Sequence, residues 1–124
     1  MDEYFDFEEE KKDYSIKISM YETEYYELKN LADELELSVK KLVNKSIKFA
    51  LKDYKKKGYI KRSDKLIFIE DEYLKKYNCK VKADFYENLK DICEEYDMNI
   101  KELVRNIISY YPLIIKERED DNWI

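Results

Sequence analysis

The stretch SIKISM, residues 15–20, alternates polar and apolar side chains. Ile16, Ile18 and Met20 are apolar, and the residues between them are polar. A period of two predicts a β-strand with one face against a core, because successive side chains of a strand point to opposite faces. No second strand follows nearby in the sequence, and a single strand leaves its backbone hydrogen-bonding groups without partners. The pattern therefore predicts that a distant segment pairs with this strand.

Two stretches with helical spacing follow the strand. Apolar residues recur every three or four positions from about residue 22 to 35 and from about 39 to 56, which predicts two amphipathic helices. Ser38 is the expected N-cap of the second helix, because its hydroxyl can accept a hydrogen bond from the first turn. Gly58 follows three lysines and is the expected end of that helix. Residues 14–58 therefore form a strand–helix–helix unit.

The same pattern recurs 61 residues further along the chain. ELSVKKLVNKSI at 36–47 aligns without gaps with DMNIKELVRNII at 97–108, and KYNCKVK at 76–82 takes the position of the strand. Asn99 then stands in the place of Ser38 and is an equivalent N-cap. The second unit is therefore predicted as a strand over 77–82, a helix from about 84 to 96, and a helix from 100 to 111 that ends at Pro112.

This repeat divides the chain into five segments. They are an acidic N-terminal tail (1–13), unit 1 (14–58), a linker (59–75), unit 2 (76–112) and a C-terminal tail (113–124). Within the linker and the start of unit 2, KLIFIE is a candidate extra strand and EDEYLKKY a candidate helical turn. Residues 1–13 and 116–124 are expected to be frayed or to depend on a partner for their structure.

The composition argues against catalytic chemistry. One glycine and one proline disfavour an all-β fold with many tight turns. The absence of histidine excludes Ser-His-Asp and Cys-His catalysis, and there is no glycine-rich phosphate loop. Cys79 and Cys93 lack the spacing of a zinc site and are expected to be reduced thiols. No pattern singles out an acid–base pair among the 29 acidic residues. We therefore expect a binding protein and not an enzyme, with no catalytic residue, metal or cofactor.

Hydropathy and the N-terminal sequence bear on localisation. No apolar run approaches the roughly 20 residues that span a bilayer. The first residues are acidic, unlike those of a secretory signal. We expect a cytoplasmic protein with no membrane interaction.

Charge is distributed unevenly along the chain. The net charge is −5, yet residues 14–83 carry +6 between acidic ends of −5 (1–13) and −6 (84–124). A net negative protein does not suggest nucleic-acid binding, but a basic middle segment keeps that function open.

The order strand, helix, turn, helix resembles the ribbon-helix-helix family, the Arc and MetJ type of repressor. The resemblance covers residues 15–57 closely and 76–111 more weakly, and it rests on pattern and spacing. It implies two strands paired antiparallel above four interlocked helices, with the ribbon entering the major groove of DNA. Glu36 departs from the family, in which a glycine is common between the helices.

The fold class expected is therefore mainly α with a short two-stranded antiparallel ribbon, formed by tandem ribbon-helix-helix units. Two arrangements fit the sequence. Strands 15–20 and 77–82 pair within one chain, as an intramolecular pseudo-dimer, or two chains form a homodimer in which like strands pair with like.

The outward face of the ribbon is the candidate for reading DNA bases. Its apolar residues point into the helical core, so the alternate polar residues point away from it. Lysine can donate to guanine, asparagine can pair with adenine, and serine can bind either base. The predicted base contacts are Ser15, Lys17, Ser19, Lys76, Asn78 and Lys80.

The N-termini of the second helices are candidates for binding the DNA backbone. Free N–H groups at a helix N-terminus attract phosphate, and such contacts position the protein while base contacts specify the sequence. The predicted phosphate contacts are Ser38, Val39, Lys40 and Lys41 in unit 1 and Asn99 and Lys101 in unit 2. Because the helices of unit 2 are acidic, its contribution to affinity is expected to be small.

The preferred function is sequence-specific binding of double-stranded DNA, as a small transcriptional repressor or a plasmid or phage accessory factor. One alternative is an antitoxin-like module that binds a protein partner through residues 113–124, where Trp123 and Ile124 are apolar anchors. Another is an acidic inhibitor, a nucleic-acid mimic on the same scaffold, that binds a basic protein surface.

Overall fold

The apolar periodicities of the chain correspond to helices and strands in the structure. The computed structural model describes residues 13–61 and 73–121, without the side chains of 119–121. In order, the elements are β1 (Tyr14–Tyr21), α1 (Glu22–Glu34), α2 (Val39–Lys57), β2 (Leu74–Val81), α3 (Ala83–Tyr96) and α4 (Ile100–Asp121). The described part of the chain is thus mainly helical with one two-stranded antiparallel sheet. The expected fold class is confirmed at this level.

The distant partner of the first strand lies in the same chain. β1 and β2 pair antiparallel, with Lys17 opposite Asn78 at the middle of the ladder. These two residues are counterparts in the 61-residue repeat, so the pairing is symmetric about them. One chain therefore supplies both strands of the ribbon.

The two units interlock beneath this ribbon. Asn44 of α2 donates to the carbonyl oxygen of Lys80 at 2.8 Å and accepts from the backbone N–H of Lys82 at 2.9 Å. Arg105, the counterpart of Asn44 in α4, donates to Glu24 at 2.9 Å, and Glu24 accepts from the backbone N–H of Tyr21 at 3.1 Å. The second helix of each unit therefore holds the end of the strand from the other unit.

A single core fills the space between the ribbon and the helices. Ile16, Ile18 and Met20 are buried, as the alternation predicts. They meet apolar residues from all four helices, and the largest fully buried side chains of these helices are Leu42, Val43, Ile47, Leu89, Val104, Ile107, Tyr111 and Ile115. Full burial of one such aliphatic side chain stabilises a fold by about 1.5–3 kcal/mol. Because both units contribute, neither has a core of its own.

The turns between helices are built alike in the two units. Glu36 (φ 57°) and its counterpart Asp97 (φ 53°) both take the left-handed conformation. The next residue then bonds back to the helix, from Leu37 to Ala32 at 2.8 Å and from Met98 to Cys93 at 2.9 Å. The turn that commonly uses glycine is therefore made here by two acidic residues. At the other end of α2, Gly58 (φ 85°) ends the helix as predicted.

Two predictions about element boundaries were wrong. Pro112 does not end the last helix, which continues to Asp121. Proline disfavours a helix interior because it lacks an N–H and its ring clashes with the preceding turn, but the residues that follow gain tertiary contacts. Ile115 is 1% exposed, and Lys116 forms an ion pair with Glu34 at 2.6 Å. These contacts outweigh the local penalty.

The second wrong boundary lies at the start of β2. The candidate helical turn EDEYLKKY covers residues 70–77, but Leu74–Tyr77 belong to the strand, where they pair with Ile18–Tyr21. Extending the ladder satisfies the backbone groups of both strands, and this outweighs the helical spacing. The other candidate, KLIFIE, lies outside the described residues.

Candidate nucleic-acid interface

Six polar side chains share the outer face of the ribbon. Residues directly opposite each other in an antiparallel pair point to the same face. Three of the cross-strand pairs on the side away from the core are Ser15 with Lys80, Lys17 with Asn78, and Ser19 with Lys76. All are exposed except Ser19, which is half-buried. The structure thus brings together all six residues that the sequence predicted as base contacts.

The three lysines of this face are available to a ligand. Within residues 13–61 and 73–121, no carboxylate forms an ion pair with Lys17, Lys76 or Lys80. Lys75 at the edge differs, because it pairs with Glu22 at 2.6 Å, and this bond raises the pKa of its ammonium group. The outer face therefore combines positive charge with the donor and acceptor groups of Ser15, Ser19 and Asn78.

The N-terminus of α2 lies beside one end of the ribbon. Ser38 caps it as predicted, since its Oγ accepts from the backbone N–H of Lys41 at 3.1 Å. Lys40 and Lys41 are exposed, whereas Val39 is half-buried. Asn44, one turn further on, bonds both the Lys40 and the Lys80 carbonyl oxygens. This clamp fixes the helix end next to the pair of Ser15 with Lys80.

An acid already occupies part of this helix end. Asp13, just before β1, lies 2.5 Å from the Nζ of Lys40. Both side chains are at the surface, where an ion pair is weak and exchanges readily. A phosphate arriving at α2 would therefore compete with Asp13 for Lys40.

The N-terminus of α4 is the counterpart at the opposite end of the ribbon. Asn99 Oδ1 accepts from the backbone N–H of Lys101 at 2.7 Å, which confirms its expected capping role. Asn99 and Lys101 are exposed. The bond from Arg105 through Glu24 to Tyr21 secures this helix to the end of β1. Both predicted phosphate sites thus flank the ribbon.

Sequence reasoning missed Asn44, Arg105 and Glu24, which position these groups. Asn44 and Arg105 are 4% and 7% exposed, unusual burial for such polar residues. Two nitrogens of Arg105, Nε and Nη1, are buried without a hydrogen-bond partner among the described residues. The sequence held one indication of these roles. Asn44 and Arg105 occupy the same position of the repeat, and each is a polar residue directly after an apolar pair.

The described residues contain little that suggests other chemistry. They hold no cluster of acidic and cysteine side chains able to bind a metal ion, and none of their helices is long and apolar enough to cross a membrane. Burial raises the pKa of the Cys79 thiol to about 11. Since the thiolate is the reactive form, this cysteine is a core residue and a poor nucleophile.

Comparisons with protein-family models, curated proteins and solved structures found nothing that matches the chain. The geometry of the ribbon and its flanking helix ends is therefore the main indication of function.

Proposed function

We propose that the protein binds double-stranded DNA in a sequence-specific manner through its ribbon, and that its two units are tandem ribbon-helix-helix units. The observation that carries the proposal is the set of six polar side chains on the exposed face of a two-stranded ribbon. Two paired strands lie about 4.8 Å apart, and the major groove, about 12 Å wide, admits such a ribbon.

The outer face offers suitable chemistry for reading base edges. The lysines donate to the O6 and N7 acceptors of guanine, and Asn78 has the donor and acceptor needed to pair with adenine. Ser15 and Ser19 are short and fit either kind of edge. The backbone hydrogen bonds between β1 and β2 and the packing of their buried face hold these side chains in register. Binding therefore does not carry the cost of ordering the ribbon.

The flanking helix ends supply the backbone contacts. The N-termini of α2 and α4 carry the positive end of a helix dipole and first-turn N–H groups. Clamped at the two ends of the ribbon, they suit phosphates on either side of the groove. Such contacts set the depth and direction of the ribbon. In this proposal the protein acts as a small transcriptional repressor or as an accessory factor of a plasmid or phage.

The first experiment is selection of duplex fragments from a genomic pool at two salt concentrations. Selective capture that weakens steeply with salt is the expected result, because phosphate contacts release counterions. Failure to enrich any fragment at low salt would contradict the proposal.

Replacement of Lys17 by alanine tests the ribbon face directly. If Lys17 reads a base, Lys17→Ala should weaken binding to the selected site by about 1–3 kcal/mol. Lys56→Ala is the matched control, because Lys56 is exposed at the C-terminal end of α2, about 25 Å along the helix from its N-terminus. Equal losses in the two variants would indicate general attraction to DNA and not base reading.

The alternative of a protein partner at 113–124 has less support. Among the described residues of this segment, Ile115 is buried, Lys116 pairs with Glu34, and Arg118 lies 5.0 Å from the ring centre of Phe49. These contacts anchor residues 115–118 to the chain itself. The acidic-inhibitor alternative is disfavoured by the three lysines on the ribbon face.

A further inference from the structure

The two strands of the ribbon present different chemistry to the same face. Counterparts in the repeat lie 61 residues apart, so Ser15 corresponds to Lys76, Lys17 to Asn78 and Ser19 to Lys80. The ladder is symmetric about the pair of Lys17 with Asn78. A twofold rotation about an axis through that pair places each strand on the other. It exchanges serine with lysine at both ends and lysine with asparagine at the centre. No outward position matches its counterpart.

The inner face shows the opposite behaviour. Ile16, Ile18 and Met20 correspond to Tyr77, Cys79 and Val81, which are all apolar or aromatic residues turned towards the core. Packing has thus kept the two strands alike on the side that holds the fold together. Of the three counterpart pairs compared on each face, only those on the outer face differ in charge.

The helix ends beside the ribbon differ in the same way. Lys40 corresponds to Lys101, but Lys41 corresponds to Glu102, and all four side chains are exposed. The end at α2 therefore carries two lysines, and the end at α4 carries one lysine and one acid. Even with Asp13 paired to Lys40, the α2 end keeps one lysine in excess, whereas Lys101 and Glu102 offset each other at α4. A backbone phosphate is therefore attracted more strongly to the first end than to the second.

We infer that one chain recognises a non-palindromic duplex site and binds it in a single orientation. The inference rests on the proposed function. A protein with two equal halves reads a palindrome, because the symmetry of the site mirrors that of the protein. Here the two strands pair with the symmetric register of a dimer, but their outward side chains are not related by that symmetry. The DNA sequence bound on one side of the central pair must then differ from that on the other.

The test is selection of binding sites for the full chain from a pool of random duplexes, followed by alignment of the enriched sequences. The expected consensus has no inverted repeat, and the mass of the complex corresponds to one chain per duplex. Duplexes that carry either half of the consensus twice, as a palindrome, should bind roughly tenfold or more weakly, because each mismatched base pair costs about that factor.

A symmetrised variant makes the test sharper. The triple substitution Ser15→Lys, Lys17→Asn and Ser19→Lys gives β1 the outward residues of β2. All three positions lie on the face away from the core, so the fold should be retained, and circular dichroism would check this. Its selected consensus should become palindromic. As a control, Lys48→Asn, Lys52→Asn and Lys55→Asn change exposed residues of α2, and this variant should still select the asymmetric consensus of the wild-type chain.

The possible results distinguish a failure of asymmetric recognition from a failure of DNA binding itself. A palindromic consensus for the wild-type chain, or two chains on each selected site, would overturn the inference while DNA binding stands. A symmetrised variant that still selects the wild-type consensus would also overturn it, because the outward residues would not be the readers. No enrichment of any duplex would overturn both.

Discussion

Glu36 and Asp97 illustrate how a local conformation can override residue preference. Both lie in the left-handed region, which costs a residue with a side chain about 1–2 kcal/mol. Asp97 belongs to a residue type that tolerates this region, whereas Glu36 does not. The bonds from Leu37 and Met98 back to the preceding helices hold the turns in place. Glu36 is therefore the more strained of the two.

Replacement of Glu36 by glycine should stabilise the protein. The relief of strain exceeds the entropy that glycine adds to the unfolded chain, which is about 0.4–1 kcal/mol, so we expect a net gain of up to about 1.5 kcal/mol. Urea unfolding followed by circular dichroism measures it. Lys29→Gly, at an exposed position within α1, should instead lower stability by about 1 kcal/mol. A loss in both variants would show that Glu36 is not strained.

Asp13 is the residue whose removal should improve DNA binding. It pairs with Lys40 at the N-terminus of α2, so it repels an incoming phosphate and occupies its partner. Asp13→Asn should tighten binding by up to about fivefold at low salt, the equivalent of about 1 kcal/mol, with the gain shrinking as salt screens it. Titrations at two salt concentrations measure the effect. Asp91→Asn, an equal charge change at an exposed position of α3 beside the C-terminal half of α2, should have little effect, and an equal gain there would point to net charge alone.

At the scale of whole elements, the chain's periodicities predict most of the structure. Amphipathic spacing identified four helices and two strands because each buries one face, and Ser38, Asn99 and Gly58 marked helix ends through local hydrogen bonds that need no tertiary information. The errors at Pro112 and Leu74 arose where distant contacts outweigh local preference. The outward ribbon residues could be predicted from alternation alone. The roles of Asn44 and Arg105 could not, because their partners lie in the other unit.

The part of α4 beyond Pro112 should contribute to stability. Ile115 is 1% exposed, whereas Leu113, two residues earlier, is 47% exposed. Ile115→Ala should therefore lower the free energy of unfolding by about 2–5 kcal/mol, and Leu113→Ala by less than about 1 kcal/mol. Chemical denaturation of both variants measures the difference. Similar small losses would mean that this last stretch of helix is not docked on the core.

For the molecule as a whole, interlocking means that the units cannot unfold one at a time. Asn44 of α2 is bonded to β2, Arg105 of α4 is linked to the end of β1 through Glu24, and the buried residues of both units form one cluster. Local openings are expected only at the ends of helices. The described residues should therefore behave as a single cooperative unit despite their repeated sequence.

Hydrogen exchange of a core variant tests this cooperativity. Val43 in unit 1 is 1% exposed, and Val43→Ala should cost about 2 kcal/mol. Amides of Leu103–Ile107 in unit 2 should lose protection by the same amount as those around Val43. The reciprocal variant, Val104→Ala, should give the mirror result. Loss confined to the substituted unit would show two independently folding halves.

The pairing of β1 with β2 within one chain has a consequence for mass action. A ribbon assembled from two chains forms in a second-order reaction and falls apart on dilution, so its population depends on how many copies a cell contains. Here both strands are tethered, and closure is a first-order event at a high effective concentration. The outer face of the ribbon is therefore complete in every folded molecule, and its integrity does not depend on how many copies a cell contains.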